Sequence, residues 1–212
     1  MRTDDTIDFL EDYCEFGEDR VYLLMAIARA KENPSIVSNS EPVLREVVKH
    51  ETDIRRKYGK LRAYATQYRT HSGDSLKFRL YITVNARNTV KTYFNFRERM
   101  NGWTKDRILG DDTASRKFKR IDSYWKSELH QDATRDETRF LFDLDDSTPD
   151  EEHTFVETLD EQTEIITRQQ TPNGYHVITV PFNYNELETE IAYELKTDGM
   201  LFLTYLTECV TG

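Results

Sequence analysis

Apolar residues recur at helical spacing over residues 5–32, with Ile7, Leu10 and Tyr13 followed by Val21, Leu24, Ile27 and Ala28, until Glu32-Asn33-Pro34 closes the run. This pattern predicts helix in two pieces, broken near Gly17. A second helix is expected from Ser40-Glu41-Pro42 to about Tyr58, since proline in a first turn loses no needed hydrogen bond, with Gly59 as its stop. Residues 77–84 (KFRLYITV) place Phe78, Leu80, Ile82 and Val84 on one side, and their β-branched and aromatic side chains predict a strand. Helical spacing returns at 88–101 (Val90, Tyr93, Phe94, Phe96, Met100) and again near 113–130.

The pattern then shortens. Residues 139–145 (RFLFDLD) form a brief apolar strand that turns acidic, and 150–161 reads as an acidic helix entered through Ser147-Thr148-Pro149. Strands are expected at 163–170 and 175–182, joined by Thr171-Pro172-Asn173-Gly174 as a hairpin. A second hairpin is expected from 191–196 and 200–206 around Thr197-Asp198-Gly199. The order of elements predicts an α+β fold with an antiparallel or mixed sheet and flanking helices: a helical N-terminal region over 1–76 and an α+β core over 77–212, packed as one unit.

Composition narrows the function classes. With 212 residues and 12 Tyr and 11 Phe the chain carries enough ring surface for a core, so it is not an acidic disordered tail. It lacks the run of about 20 apolar residues that crosses a bilayer, and its opening MRTDDTIDFLED is acidic where a secretory signal is basic and then apolar, which predicts a cytoplasmic protein with no membrane partner. Two cysteines, Cys14 and Cys209, provide neither a disulfide framework nor a Cys-rich zinc site. Charge falls in blocks: 6 Lys/Arg against 12 Asp/Glu in 1–52, 19 against 8 in 53–130, and 4 against 19 in 131–212. A basic middle joined to an acidic end suits a protein that meets a polyanion with one surface and cations with another, or one whose blocks neutralise each other.

Asp143 and Asp145 stand two apart on a strand, so both carboxylates project from one face. Like charges held together call for a proton or for a divalent ion such as Mg²⁺, which takes oxygen ligands. His176 follows the Asn173-Gly174 turn at the start of an apolar strand, where it can donate to a phosphate or tune acid–base chemistry. Glu194, or its rival Asp198, can complete a carboxylate cluster for two ions. Two segments interleave cations with rings: Arg55-Arg56-Lys57, Lys60 and Arg62 with Tyr58, Tyr64 and Tyr68, and Arg116-Lys117, Lys119-Arg120 and Lys126 with Phe118, Tyr124 and Trp125. Such segments either grip single strands or are solvated faces of amphipathic helices. Arg87, just after the 77–84 strand, is a further phosphate candidate.

Leu141-Phe142-Asp143-Leu144-Asp145, then a helix, then Thr171-Pro172-Asn173-Gly174-Tyr175-His176 resembles the archaeo-eukaryotic primase superfamily, particularly its primase-polymerase branch, over about residues 139–200. The resemblance implies an RRM-like core and a nucleotidyltransferase that adds nucleotides to a nucleic-acid strand. It implies Asp143 and Asp145 as ligands of a two-metal Mg²⁺ or Mn²⁺ site, His176 as the contact to the nucleoside triphosphate, and Glu194 or Asp198 as the third carboxylate. Arg87 and Arg168 join His176 as nucleotide-contact candidates, and template or single-stranded nucleic acid and a replication subunit are the implied partners. The family commonly has Asp at the third motif, where this chain has Glu. Two rivals stand beside it. One is a metal-dependent nuclease using Glu194-Leu195-Lys196 with acidic partners; the other is a non-catalytic nucleic-acid-binding accessory protein on the same fold.

Overall fold

The computed structural model describes residues 3–36 and 40–207; Cys209 lies outside them. Helix α1 (Thr3–Tyr13) forms where Ile7, Leu10 and Tyr13 predict it and buries all three. The rest of the expected helix is instead strand β1 (Arg20–Ile27). Seven of its eight residues are buried, and a central strand covered on both faces loses its polar alternation, so its apolar run satisfies helical spacing as well as strand spacing. The 40–58 segment is likewise corrected: β2 (Val43–Val48) comes first and α2 (Ile54–Gln67) follows. Gly59 does not end that helix but lies inside it, at an exposed position with open space around it.

Strand β3 (Arg79–Thr83) matches the expected strand, and a two-residue β4 (Arg87–Asn88) leads into α3 (Thr89–Ile108). The Asn88 side chain caps α3 by accepting from the Val90 and Lys91 N–H groups. Helices α4 (Ala114–Phe118) and α5 (Ile121–Leu129) precede β5 (Phe140–Asp145). The acidic helix α6 (Pro149–Asp160) begins with a reciprocal Thr148/Glu151 capping box. Strands β6 (Ile165–Thr171), β7 (Gly174–Thr179), β8 (Glu194–Lys196) and β9 (Met200–Tyr205) complete the described chain.

The fold is α+β, with two sheets whose strand pairs are all antiparallel. The first runs β2-β1-β3-β9, with β4 also on β1, and the second runs β6-β7-β5-β8. Two expectations change here. β8 and β9 are not a hairpin but belong to different sheets, because Thr197-Asp198-Gly199 carries the chain across rather than back. Residues 1–76 are not a helical annex either: β1 and β2 are two of the five strands of the first sheet, so the fold does not divide at residue 76.

Helices α1 and α2 cover one face of the first sheet, Leu10 and Leu61 packing with Tyr22, Leu24 and Leu80. On the other face Leu129 and Trp125 of α5 pack with Val21, Leu23 and Tyr81, leaving part of that face open. α6 covers the second sheet through Phe155 and Leu159 against Phe142 and Val177. The opposite face of that sheet, through Leu141 and Ile178, joins the first core beside Leu201 and Leu203. Among the described residues no helix is long and apolar enough to cross a membrane.

Candidate active site

The β6–β7 turn holds only Pro172 and Asn173, because Thr171 pairs with Gly174. Gly174 then lies against β5 so closely that a Cβ there would fall 1.9 Å from the Leu144 carbonyl oxygen. No side chain can be accommodated, and the close approach fixes the register of β7 on β5. In that register Asp143 faces His176 on one side and Glu194 on the other, while Asp145 faces Gly174 and Leu141 faces Lys196. Directly paired and alternate residues share a face of a sheet. His176, Asp143 and Glu194 therefore form one row across three strands, with Asp145 one step towards the turn and Lys196 one step away.

Asp143 is the hub. Its Oδ1 lies 3.4 Å from His176 Nε2 and its Oδ2 accepts from Lys196 Nζ at 2.7 Å. The His176 hydrogen bond, opposed by partial burial and reinforced by Lys196, holds the Asp143 carboxyl down at about 2. The carboxylate is thus charged well below neutral pH, and its contribution to stability is present above the ordinary Asp range and lost only as pH falls through about 2. Burial works against the Lys196 ammonium, yet Asp143 and Glu194, the latter 2.8 Å away, hold its pKa above the ordinary value.

His176 is buried, and its Nδ1 accepts from the Phe202 backbone N–H at 3.4 Å. This contact ties the second sheet to β9 of the first and leaves the proton on Nε2, directed at Asp143. Asp143, Asp145, His176 and Lys196 line one wall of a cleft of about 570 Å³ between the sheets. Met25, Tyr81 and Phe202 supply apolar surface, and Arg29, Lys31, Arg45 and Arg79 supply cations.

No protein-family model, curated protein or solved structure matches the chain.

The cations of the cleft differ in how far they are already neutralised. Arg79 donates to both Glu32 carboxylate oxygens at 2.7 and 2.9 Å, and Arg29 lies 3.5 Å from Glu41. Arg45 has no such partner among the described residues: its buried Nε is unpaired, and burial pushes the guanidinium pKa down. An anion in the cleft would relieve that cost. The sequence pattern missed this set because Arg29 and Arg45 lay in segments that read as helix. Val43 and Arg45 on β2 and Arg79 and Tyr81 on β3 fall at alternate positions and share the cleft face, and Arg29 follows Ile27 at the same spacing in extended backbone just past the end of β1.

Three expected residues do not join the site. Arg87 is fully buried and donates to both oxygens of Asp198 at 2.8 and 2.9 Å, with the Asn85 amide donating to Asp198 at 3.0 Å. With its guanidinium committed, Arg87 is not free for a phosphate, and Asp198, locked beneath it, is not free for a metal. Arg168 pairs with Val177 and so points to the face opposite His176, where it lies 3.6 Å from Glu152 of α6. Asp143 and Asp145, two hard oxygen donors on one face beside an open cleft, fit a cation that keeps waters for phosphates to displace. Among the described residues no three His, Cys, Asp or Glu side chains gather closely enough to hold an ion; the Lys196 ammonium bridges Asp143 and Glu194 instead.

Proposed function

We propose that the chain is a primase-polymerase-type nucleotidyltransferase that extends a nucleic-acid strand from nucleoside triphosphates with Mg²⁺ or Mn²⁺. The observation that carries this reading is the Asp143–His176 pair, with Asp145 beside it, opening onto a cleft where Arg29, Lys31, Arg45 and Arg79 outnumber the one other acid, Glu41. The topology supports an RRM-like core of the archaeo-eukaryotic primase kind. Read from β8, the second sheet runs β8-β5-β7-β6, the fourth-first-third-second order of a split β-α-β unit, with α6 after its first strand. The place of that unit's second helix, between β7 and β8, holds only a short 3-10 turn at Tyr184–Glu186.

In this reading Asp143 and Asp145 would hold divalent ions, whose charge would stabilise the negative charge that develops as a 3′-hydroxyl attacks the α-phosphorus and pyrophosphate departs. The chain's own groups position the triphosphate. His176 would share its single Nε2–H, 3.4 Å from Asp143, with a phosphate oxygen; Arg45 and Lys31 neutralise the phosphates; Tyr81 and Phe202 offer flat surface to the base or sugar. Lys196, 2.7 Å from Asp143 on the cleft wall, would compete with a divalent ion for that carboxylate and stands where it can face the phosphates. Lys196→Met is expected to tighten Mn²⁺ binding about tenfold, the effect of roughly 1.4 kcal/mol of screened repulsion removed. It should also raise KM for the triphosphate, so a Mn²⁺ titration and steady-state kinetics move in opposite directions.

The direct test is incorporation of labelled nucleotide on a primed template with Mn²⁺. His176→Ala is expected to lower kcat/KM about 10- to 100-fold, as loss of a hydrogen bond to a charged group does, with Mn²⁺ affinity retained. A variant indistinguishable from the parent would remove His176 from the mechanism. A second reading, a metal-dependent nuclease, is favoured by the meeting of Glu194 and Lys196 with Asp143. Strand degradation in the absence of triphosphates selects it. Strand binding with neither reaction selects the accessory role.

A further inference from the structure

A second groove, of about 600 Å³, opens at the β2 edge of the first sheet, reaching from the cleft's face, at Val21 and Val47, round to Lys57 and Lys60 of α2. β1 gives Met25 and Ile27 to the cleft and Val21 to the groove, while β2 gives Val43 and Arg45 to the cleft and Val47 and Lys49 to the groove. A smaller hollow shares Val43 and Arg45 with the cleft and Glu46 and Lys126 with the groove, and Asp122 lines it too. The path follows β2, the edge strand of its sheet, so it is open along one side. From Arg45 to Lys49 it spans about 13 Å at the rise of a strand.

Two acids, Glu18 and Glu46, line the groove against Arg20, Lys49, Lys57, Lys60 and Lys126. Glu46, only 3% exposed, accepts from Lys57 Nζ and Lys60 Nζ, each at 2.6 Å, and Lys126 adds to the field that acts on it. A single carboxylate thus gathers three ammonium groups, so a surplus of positive charge is held in place. Lys49 and Lys126 have no ion-pair partner within 4 Å among the described residues. Trp125, its ring set edge to face against Phe96 at 5.5 Å, also lines the groove. Two segments distant in sequence, Lys57/Lys60 on α2 and Trp125/Lys126 on α5, therefore meet at one place, where cations and a ring offer a single strand what its phosphates and bases need.

We propose that this groove seats single-stranded nucleic acid, its phosphates on Lys49, Lys57, Lys60 and Lys126 and a base against Trp125, with the strand passing along β2 into the cleft. The direction of the strand rests on the nucleotidyltransferase reading; the binding itself does not. The test is fluorescence anisotropy of a labelled oligothymidylate with the full chain, without metal or triphosphate, over a series of salt concentrations. Lys49→Glu/Lys126→Glu is expected to raise Kd at least tenfold and to reduce the slope of log K against log salt by about 1.4, the share of two phosphate contacts to a single strand. Lys105→Glu/Lys119→Glu, an equal charge change at exposed positions outside the groove, should leave Kd within twofold.

Equal binding by the groove variant and the parent, equal loss in both variants, or no binding by the parent each overturns the proposal. Displacement of the oligonucleotide by polyglutamate at equal charge concentration also overturns it, in favour of an acidic protein segment as occupant. Incorporation assays on the same proteins keep the two readings apart. Binding mapped to the groove without incorporation by the parent sinks the nucleotidyltransferase reading alone, and incorporation by a parent whose binding ignores the groove sinks this one alone.

Discussion

Asp143→Asn is expected to lower template-dependent incorporation about a thousandfold, the kinetic equivalent of roughly 4 kcal/mol of lost transition-state stabilisation at a metal-bound carboxylate, while the chain stays folded. The side chain keeps its shape, and its amide oxygen can still accept from His176 Nε2. Lys196 retains Glu194 as a partner at 2.8 Å, so no ammonium is stranded. What disappears is the charge of the hub residue, the one held at about 2 and therefore ionised at every pH where the enzyme would work. Mn²⁺ binding followed by electron paramagnetic resonance should weaken in parallel, and urea denaturation should show a modest loss of stability at neutral pH, the share that the lowered Asp143 pKa contributes there. Activity above a tenth of the parent's would remove Asp143 from the reaction, whatever became of the metal titration. Asp145→Asn tests the same centre from an exposed position, where even less of the fold depends on the charge.

Much of that centre was legible in the residue pattern, for a local reason. Asp143 and Asp145 alternate on one short strand, and His176 follows a two-residue β6–β7 turn whose Pro172-Asn173-Gly174 chemistry announces itself; that tight hairpin fixes its own register before β7 pairs with β5. The acidic helix α6 was equally plain, because Thr148, Pro149 and Glu151 are a complete start signal. The first sheet was hidden by its own burial. Val21 to Ile27 are apolar at every position, and such a run carries no period that separates strand from helix. With β1 and β2 unread, the cations they bring to the cleft, Arg29 just past the end of β1 and Arg45 on β2, could not be placed beside the aspartates. The roles of Arg87 and Asp198 were misjudged for a different reason. They are 111 residues apart and meet only in the folded chain, so nothing local distinguishes a committed pair from two free groups.

That pair carries the largest expected effect on stability. Arg87→Met should destabilise the protein by about 3–5 kcal/mol, the usual result of stranding one partner of a buried ion pair. Asp198 would keep the Asn85 amide but lose both guanidinium hydrogen bonds, in a place where its side chain is 6% exposed. In the parent, burial pushes the Asp198 carboxyl up, but the Arg87 hydrogen bonds and charge outweigh it and leave the pKa lowered. A depressed carboxylate contributes stability above the ordinary Asp range that is lost as pH falls through the folded value. Without Arg87 the sign reverses. Burial then raises the folded pKa, the protonated form becomes the stable one, and the cost of the substitution is fully present above that raised value and shrinks as pH falls. Urea denaturation at about pH 7 and about pH 4 should therefore give a smaller difference from the parent at the lower pH. Arg87→Met/Asp198→Leu should recover most of the loss at neutral pH, because no buried charge remains to be desolvated. The consequence reaches the cleft. Asp198 lies where the chain passes from β8 to β9, and Gly199 beside it accepts from the Val84 N–H at 3.0 Å while a Cβ there would meet Leu141 at 2.8 Å. A loosened crossover lets the two sheets separate along β9, where Phe202 holds the Nδ1 of His176. Incorporation by Arg87→Met should fall with the folded fraction and further, through a raised KM for the triphosphate, although neither Arg87 nor Asp198 lines the cleft. An unchanged denaturation midpoint at neutral pH would show that the pair is dispensable and that the sheets are held together elsewhere.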